Sequence, residues 1–205
     1  TWAIAILPMI EQAPLYRLYD ATRNSTDLAN FGFTSSNVSA YRCPTDVAGD
    51  LWFEPVLGAP FTRGNYAANY GSGSWGQTYW DDKQYRGVMG QNDGLRIAEI
   101  TDGSSNTVCV AEIRSQNSVS DNRGAWAFPS PGASSVGLDC DNLCRGINDD
   151  PASDWIPYCD AIPAGLPCNF QNTQDSNAGP RSLHTGTATV ALCDGSVRLV
   201  SETVS

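Results

Sequence analysis

The chain has one histidine, His184, and only 12 Lys and Arg against 22 Asp and Glu, a formal net charge of -10 at pH 7. A metal site draws on two or three good ligands, so a lone imidazole leads to no expected metal site. The shortage of basic residues excludes nucleic acid and anionic membrane as partners, since both need clustered Lys and Arg. An acidic surface fits a soluble extracellular protein. No apolar run of about 18 residues occurs, so no segment reads as a membrane span. No signal peptide is visible, and the first residue is Thr1 rather than Met, which reads as a processed or truncated product. Catalytic signatures are missing as well. There is no Gly-x-Ser-x-Gly elbow and no phosphate-binding Gly-x₄-Gly-Lys-Ser/Thr loop, and the Gly-x-Gly-x-x-Gly spacing at residues 71–76 is not read as lying between a strand and a helix. Asp81-Asp82 and Asp149-Asp150 are adjacent in sequence and read as solvated. Glu99 and Glu112 are a nominal glycosidase pair with nothing to fix their separation. A lone His before a strand reads as a hydrogen-bonded structural residue, and no enzymatic activity is expected.

What is present is a loop-rich globular domain. Hydrophobic residues make up 41% and charged residues 17%, with Gly 19 and Pro 12, which places the chain among folded, β-leaning domains. Its 205 residues suit a single domain, residues 1–205, with room for a proper core. The seven cysteines are many for an intracellular protein of this size. Cys140, Cys144, Cys159 and Cys168 cluster and read as disulfides made in an oxidising compartment, with three connectivities open. A Cys₄ zinc site is the weaker reading, because Cys159 and Cys168 are too far apart for a zinc knuckle. The odd count leaves a thiol free or paired elsewhere, and Cys43 is a further disulfide candidate.

In chain order, Trp2, Ile6, Met9 and Ile10 recur at helical spacing and are expected in the core. Pro8 and Pro14 divide this segment into two short helical turns, the second over residues 14–19. Asn24 and Asn37 begin glycosylation sequons. Residues 41–46 read as an extended piece running into a turn. Residues 66–85 mix aromatics with Gly and small polar residues. They read first as a loop whose rings anchor it to the core, and alternatively as a glycan-binding surface with Trp75, Tyr79 and Trp80 in contact. A helical turn over 97–100 leads into the loop Thr101-Asp102-Gly103-Ser104-Ser105-Asn106. That loop's oxygens make it a weak Ca²⁺ candidate, and Asx-turn chemistry explains it equally well. Strands are expected over 107–113 and 123–128. Residues 129–181 form a long Pro/Gly-rich insertion stapled by disulfides. The chain closes with a hairpin whose strands, 187–193 and 196–201, flank Asp194-Gly195. A two-residue turn there pairs Leu192 with Val197 and Val190 with Leu199, with all four side chains on one face.

His184 followed by nine residues and then Asp194-Gly195 resembles the C-terminal signature of the prepilin-type, processing-associated His-x9-Asp-Gly family. This is a large family of unknown function, abundant in planctomycete-type bacteria. Three further stretches are similar to it, in the same order: residues 2–16 around Leu7-Pro8-Met9-Ile10-Glu11-Gln12, residues 41–46 around Cys43-Pro44, and residues 100–112 from Ile100-Thr101-Asp102-Gly103 to Glu112. Members of that family begin with a prepilin leader and a long hydrophobic helix. The resemblance therefore implies that this chain is the globular head that follows such a helix. It implies an α+β, pilin-like head with an antiparallel sheet, short N-terminal helices and a disulfide-stapled loop. It also implies a bacterial cell-surface location and self-association into a filament or pseudopilus. Cys43 would have lost a partner in the upstream helix, Cys109 and Cys193 would pair if their strands are neighbours, and residues 140–168 would be specific to this member. His184, Asp194, Gly195, Asp102 and Gly103 are carried over as structural signature positions, with His184 tethered near the Asp194-Gly195 turn or the Asp102 loop. The family brings no catalytic residue.

Overall fold

The computed structural model describes residues 1–46, 52–55, 58–72, 75–76, 80–137, 146–149, 154–160, 166–172 and 176–204. The fold is α+β, with short helices packed beside a mixed sheet. In chain order it comprises α1 (Trp2–Ile6), α2 (Ala13–Tyr16) and α3 (Phe31–Thr34), then β1 (Tyr66–Gly71), β2 (Val108–Glu112), β3 (Ser135–Gly137), β4 (Trp155–Ile156), β5 (Asn169–Phe170), β6 (Thr187–Leu192) and β7 (Val197–Ser201).

The N-terminal helices follow the prolines. Thr1 caps α1 through its side chain, which accepts from the Ile4 amide. Pro8 then opens a 3-10 turn, Leu7–Ile10, which ends at Glu11 in the left-handed region at φ 62. Tightening from 3.6 to 3.0 residues per turn rotates the later side chains away from the expected face. Ala3, Ile4 and Leu7 are buried as a result, whereas Met9, expected in the core, is 80% exposed. Trp2, Ile6 and Ile10 pack at the core's edge.

The main sheet has the order β3-β1-β2-β6-β7. The pairs β1–β2, β2–β6 and β6–β7 are antiparallel, but β1 and β3 run parallel. The sheet is therefore mixed, not antiparallel throughout as expected. A pair of parallel strands needs a crossover. Here the chain returns through tight buried turns over residues 121–134, where Ala125, Phe128 and Ala133 donate to Asn122, Ala125 and Ser130 carbonyls. Those turns occupy the segment expected to be a strand at 123–128. Gly124 makes the corner: it sits at φ +83, and a Cβ there would come within 2.6 Å of the Gly64 carbonyl. Consecutive residues 125–128 are all buried, which a one-faced strand would not allow.

The closing hairpin is real, but its register differs by one residue. Val197 pairs with Ala191, Arg198 with Val190 and Leu199 with Thr189. The Gly195 amide donates to the Leu192 carbonyl and the Leu192 amide to the Ser196 carbonyl. Only Gly195 of the turn has a positive φ, at 85. This is a three-residue loop, a type I turn closed by a Gly bulge, rather than a two-residue I′ turn. Asp194 Oδ1 locks it by accepting from the Ser196 amide and hydroxyl at 2.9 and 2.7 Å. Because strands have period two, one residue of slip moves a side chain to the other face. Val190 and Leu192 stay in a core cluster with Ala67, Ala111, Ile113 and Val136, while Val197 and Leu199 are turned outward, each 66% exposed.

A second and larger core gathers α1, α3 and aromatic loops around Trp126, Phe33, Tyr41, Phe53, Phe61 and Phe128. Trp126 meets Phe33 edge-on at 5.4 Å and donates Nε1 to Thr62 Oγ1 at 2.9 Å. The 129–181 region contributes β3, β4, β5 and core residues Val136, Ile156 and Ala178, so it is built into the fold and not only attached to it. Cys159 and Cys168 are joined by a disulfide. Cys140 and Cys144 lie outside the described residues. A buried ion network backs the disulfide: Arg123 bonds Asp121 at 2.8 Å, and Asp154 accepts from Arg181 at 2.7 Å and faces Arg123 at 3.4 Å. Arg123 also donates to the Leu166 and Pro167 carbonyls.

Candidate functional site

Three stretches singled out in the sequence meet at the sheet end where β1 begins and β2 finishes. The turn at residues 43–46 is closed by the Asp46 amide on the Cys43 carbonyl at 3.1 Å. Asn65, fully buried just before β1, ties that turn to both strands. Its Oδ1 accepts from the Cys43 amide at 2.9 Å, and its Nδ2 donates to Asp46 Oδ2 at 2.6 Å and to the Ile113 carbonyl at 3.2 Å. Asp46 accepts in addition from the Ser115 amide at 2.8 Å. Buried polar groups of this kind hold geometry only when satisfied, and these are.

This scaffold places the Cys43 thiol, the Glu112 carboxylate and the His184 imidazole together, with one donor atom from each within 4.8 Å of the others. His184 Nε2 stands 3.4 Å from Glu112 Oε1 and 3.7 Å from Cys43 Sγ. Cys43 and Glu112 are buried, while the His184 side chain is 35% exposed. The carboxylate, the thiol and the His184 backbone each have a partner behind them. Glu112 Oε2 accepts from the Thr189 amide at 3.0 Å, Cys43 Sγ lies 3.0 Å from Thr45 Oγ1, and the His184 amide donates to Ser182 Oγ at 2.9 Å. The carboxylate and the thiol both approach the same ring nitrogen. A nucleophilic triad instead sets its acid against the far ring nitrogen, to fix the tautomer. The arrangement therefore brings three potential ligating atoms to one place.

The chain matches, over residues 1–205, the model of a family described as a protein of unknown function (DUF1559). It belongs to that family. No curated protein and no solved structure matches it.

The other expected positions of this DUF1559 domain are spread across the fold. Asp194 and Gly195 form the hairpin tip, at the opposite end of β6 from His184. The Asp102-Gly103 loop packs against that tip, where the Asp194 and Cys193 amides donate to the Ser104 and Thr107 carbonyls at 3.1 and 2.9 Å. His184 is thus tethered, but by Glu112 and Cys43 and not by the two loops expected to hold it. The loop's polar groups serve its own turn: Asn106 Nδ2 donates to the Asp102 carbonyl and Thr101 Oγ1 to Asp102 Oδ1.

Cys109 lies on β2 and Cys193 one residue past the end of the neighbouring β6, yet both are free thiols, as is Cys43. Burial pushes the Cys109 thiol up. Burial and the adjacent Cys109 push Cys193 up to about 11. In the aromatic segment Trp80 is 2% exposed and donates Nε1 to Asp93, so it is an anchor and not a binding platform. Trp75 lines a cleft of about 680 Å³ together with Trp2, Gln91 and Asn92. Tyr79 lies outside the described residues. Sequence reasoning named Cys43 only as a disulfide partner and Glu112 only as a nominal acid. Their convergence with His184 leaves no spacing signature, since Cys43 and His184 stand 141 positions apart.

Proposed function

We propose that this domain is a non-enzymatic structural subunit of a bacterial cell-surface assembly, a pilin-like head that associates with copies of itself or with related subunits. The observation that carries the reading is β7. It is an edge strand of the main sheet, and its outward face presents Val197 and Leu199, each 66% exposed. Edge strands offer unpaired amides and carbonyls to another chain, and proteins that stay monomeric commonly blunt them with charge, proline or a bulge. Here the outward apolar pair sits on a regular strand whose one basic residue, Arg198, pairs with Val190 on the other face. The resemblance to prepilin-type heads supports the same reading, and the Cys159–Cys168 disulfide fits an extracellular site.

Sedimentation and negative-stain microscopy of the chain test it. Concentration-dependent oligomers that are lost in the V197E/L199E double variant, with an unchanged circular dichroism spectrum, are expected. Monodisperse monomers at high concentration, or oligomers indifferent to the double variant, would count decisively against it.

A further inference from the structure

We propose that Cys43, Glu112 and His184 form a binding site for a zinc-type divalent transition-metal ion, with a thiolate, a carboxylate oxygen and an imidazole as its protein ligands. The inference goes beyond the structural role above and does not depend on it.

The distances carry the argument. Zinc binds sulfur at about 2.3 Å, imidazole nitrogen at about 2.0–2.1 Å and carboxylate oxygen at about 2.0–2.2 Å, with tetrahedral angles. Those lengths put two ligands of one ion about 3.4 Å apart for nitrogen and oxygen, and about 3.6 Å apart for nitrogen and sulfur. His184 Nε2 lies 3.4 Å from Glu112 Oε1 and 3.7 Å from Cys43 Sγ. A direct N–H···O bond would favour 2.7–3.2 Å, so the His184–Glu112 spacing is longer than such a bond and matches two ligands of one ion, while the 3.7 Å from Nε2 to the Cys43 sulfur suits a shared ion as well as a hydrogen bond to sulfur.

The surroundings agree with the distances. Two of the ligand side chains are steadied by neighbours, Glu112 through Oε2 and the Thr189 amide and Cys43 through Thr45 Oγ1, while Asn65 and Ser182 hold the backbone amides of Cys43 and His184. Outer contacts of this kind orient metal ligands. The thiol and carboxylate are buried beside a ring that is 35% exposed, so solvent reaches the cluster from the imidazole side. A tetrahedral ion held by three protein ligands would take water as its fourth. A mixed sulfur, nitrogen and oxygen set selects zinc and its neighbours over calcium or magnesium, which take oxygen alone.

Cobalt(II) titration of the chelator-treated full chain tests the site, because Co²⁺ reports thiolate ligation and tetrahedral geometry by absorption. One equivalent is expected to produce a thiolate-to-cobalt charge-transfer band and the ligand-field bands of a tetrahedral ion, with zinc displacing it. C43S should abolish the charge-transfer band. E112Q, which keeps an acceptor for the Thr189 amide, should weaken binding by more than about 10–100-fold, the usual cost of losing even an outer contact. The C109S/C193S variant should bind as the parent does. Absence of the spectrum in the parent, its loss in C109S/C193S, or full affinity in E112Q would each overturn the assignment. E112Q keeps the test valid if C43S fails to fold.

Discussion

Asp154 is almost fully buried between two arginines, accepting from Arg181 through both oxygens and facing Arg123 at 3.4 Å. Arg123 in turn grips Asp121 and the carbonyls of residues 166 and 167. A buried pair adds little over a well-packed apolar core, but deleting one partner strands the other charge at a cost of about 3–5 kcal/mol. Asp154→Ala should therefore lower unfolding stability by about that amount in urea titration, far more than an exposed pair such as Arg23–Asp27 would. The free thiols make a second prediction at this scale. The thiolate is the reactive form, and Cys193 is pushed up from 9.0 to about 11 by burial and its neighbour Cys109. With the folded value above the ordinary one, the neutral thiol dominates at pH 8, and reactivity appears as pH rises through about 11. Alkylation by iodoacetamide, read by mass spectrometry of a tryptic digest, should be slow at Cys193 near pH 8 and accelerate steeply above pH 10. A rate that levels off at pH 9 would contradict this.

Among the elements, the hairpin turn decides which side chains reach the surface. Gly195 holds φ +85 with open space where a Cβ would stand, so the cost of replacing it is conformational and not steric. Gly195→Ala should destabilise the fold by about 1–2 kcal/mol, the penalty for a left-handed alanine, with no change in the spectrum of the folded state. Thermal unfolding would show it, and a neutral result would mean that the turn relaxes to another type. The same turn shows what the sequence made legible. Helical spacing broken by Pro8 and Pro14, and the apolar alternation of residues 187–192, were readable because local chemistry sets them. The register was not, since Asp-Gly serves both a two-residue turn and a bulged three-residue turn. β1 was hidden for another reason: Tyr66–Gly71 is buried on both faces and rich in Ala, Asn and Gly, so it shows neither alternation nor β-branched residues. The Cys43–Glu112–His184 cluster was hidden because tertiary pairing alone assembles it. Its residues lay in stretches that were noticed one by one, and only the strand order brings them together.

At the scale of the whole molecule, charge and apolar surface act against each other. Each copy carries a formal charge of -10 at pH 7, so copies repel at long range. The outward Val197–Leu199 pair on edge strand β7 attracts only at contact. Repulsion between exposed charges reaches about 30 Å at 0.01 M ionic strength but only about 8 Å at 0.15 M. Apolar contact is not screened, and excluded salts strengthen it. Self-association through β7 should therefore grow as sodium chloride rises from 0.01 to 0.15 M, and grow again with sulfate. Lowering the pH toward the carboxylate range should act in the same direction, because protonation removes the repelling charge. Sedimentation velocity across this series gives the sign directly. Association through complementary charges would instead weaken with salt. A weight-average mass that falls between 0.01 and 0.15 M would thus place the contact on charged surface and away from the β7 edge.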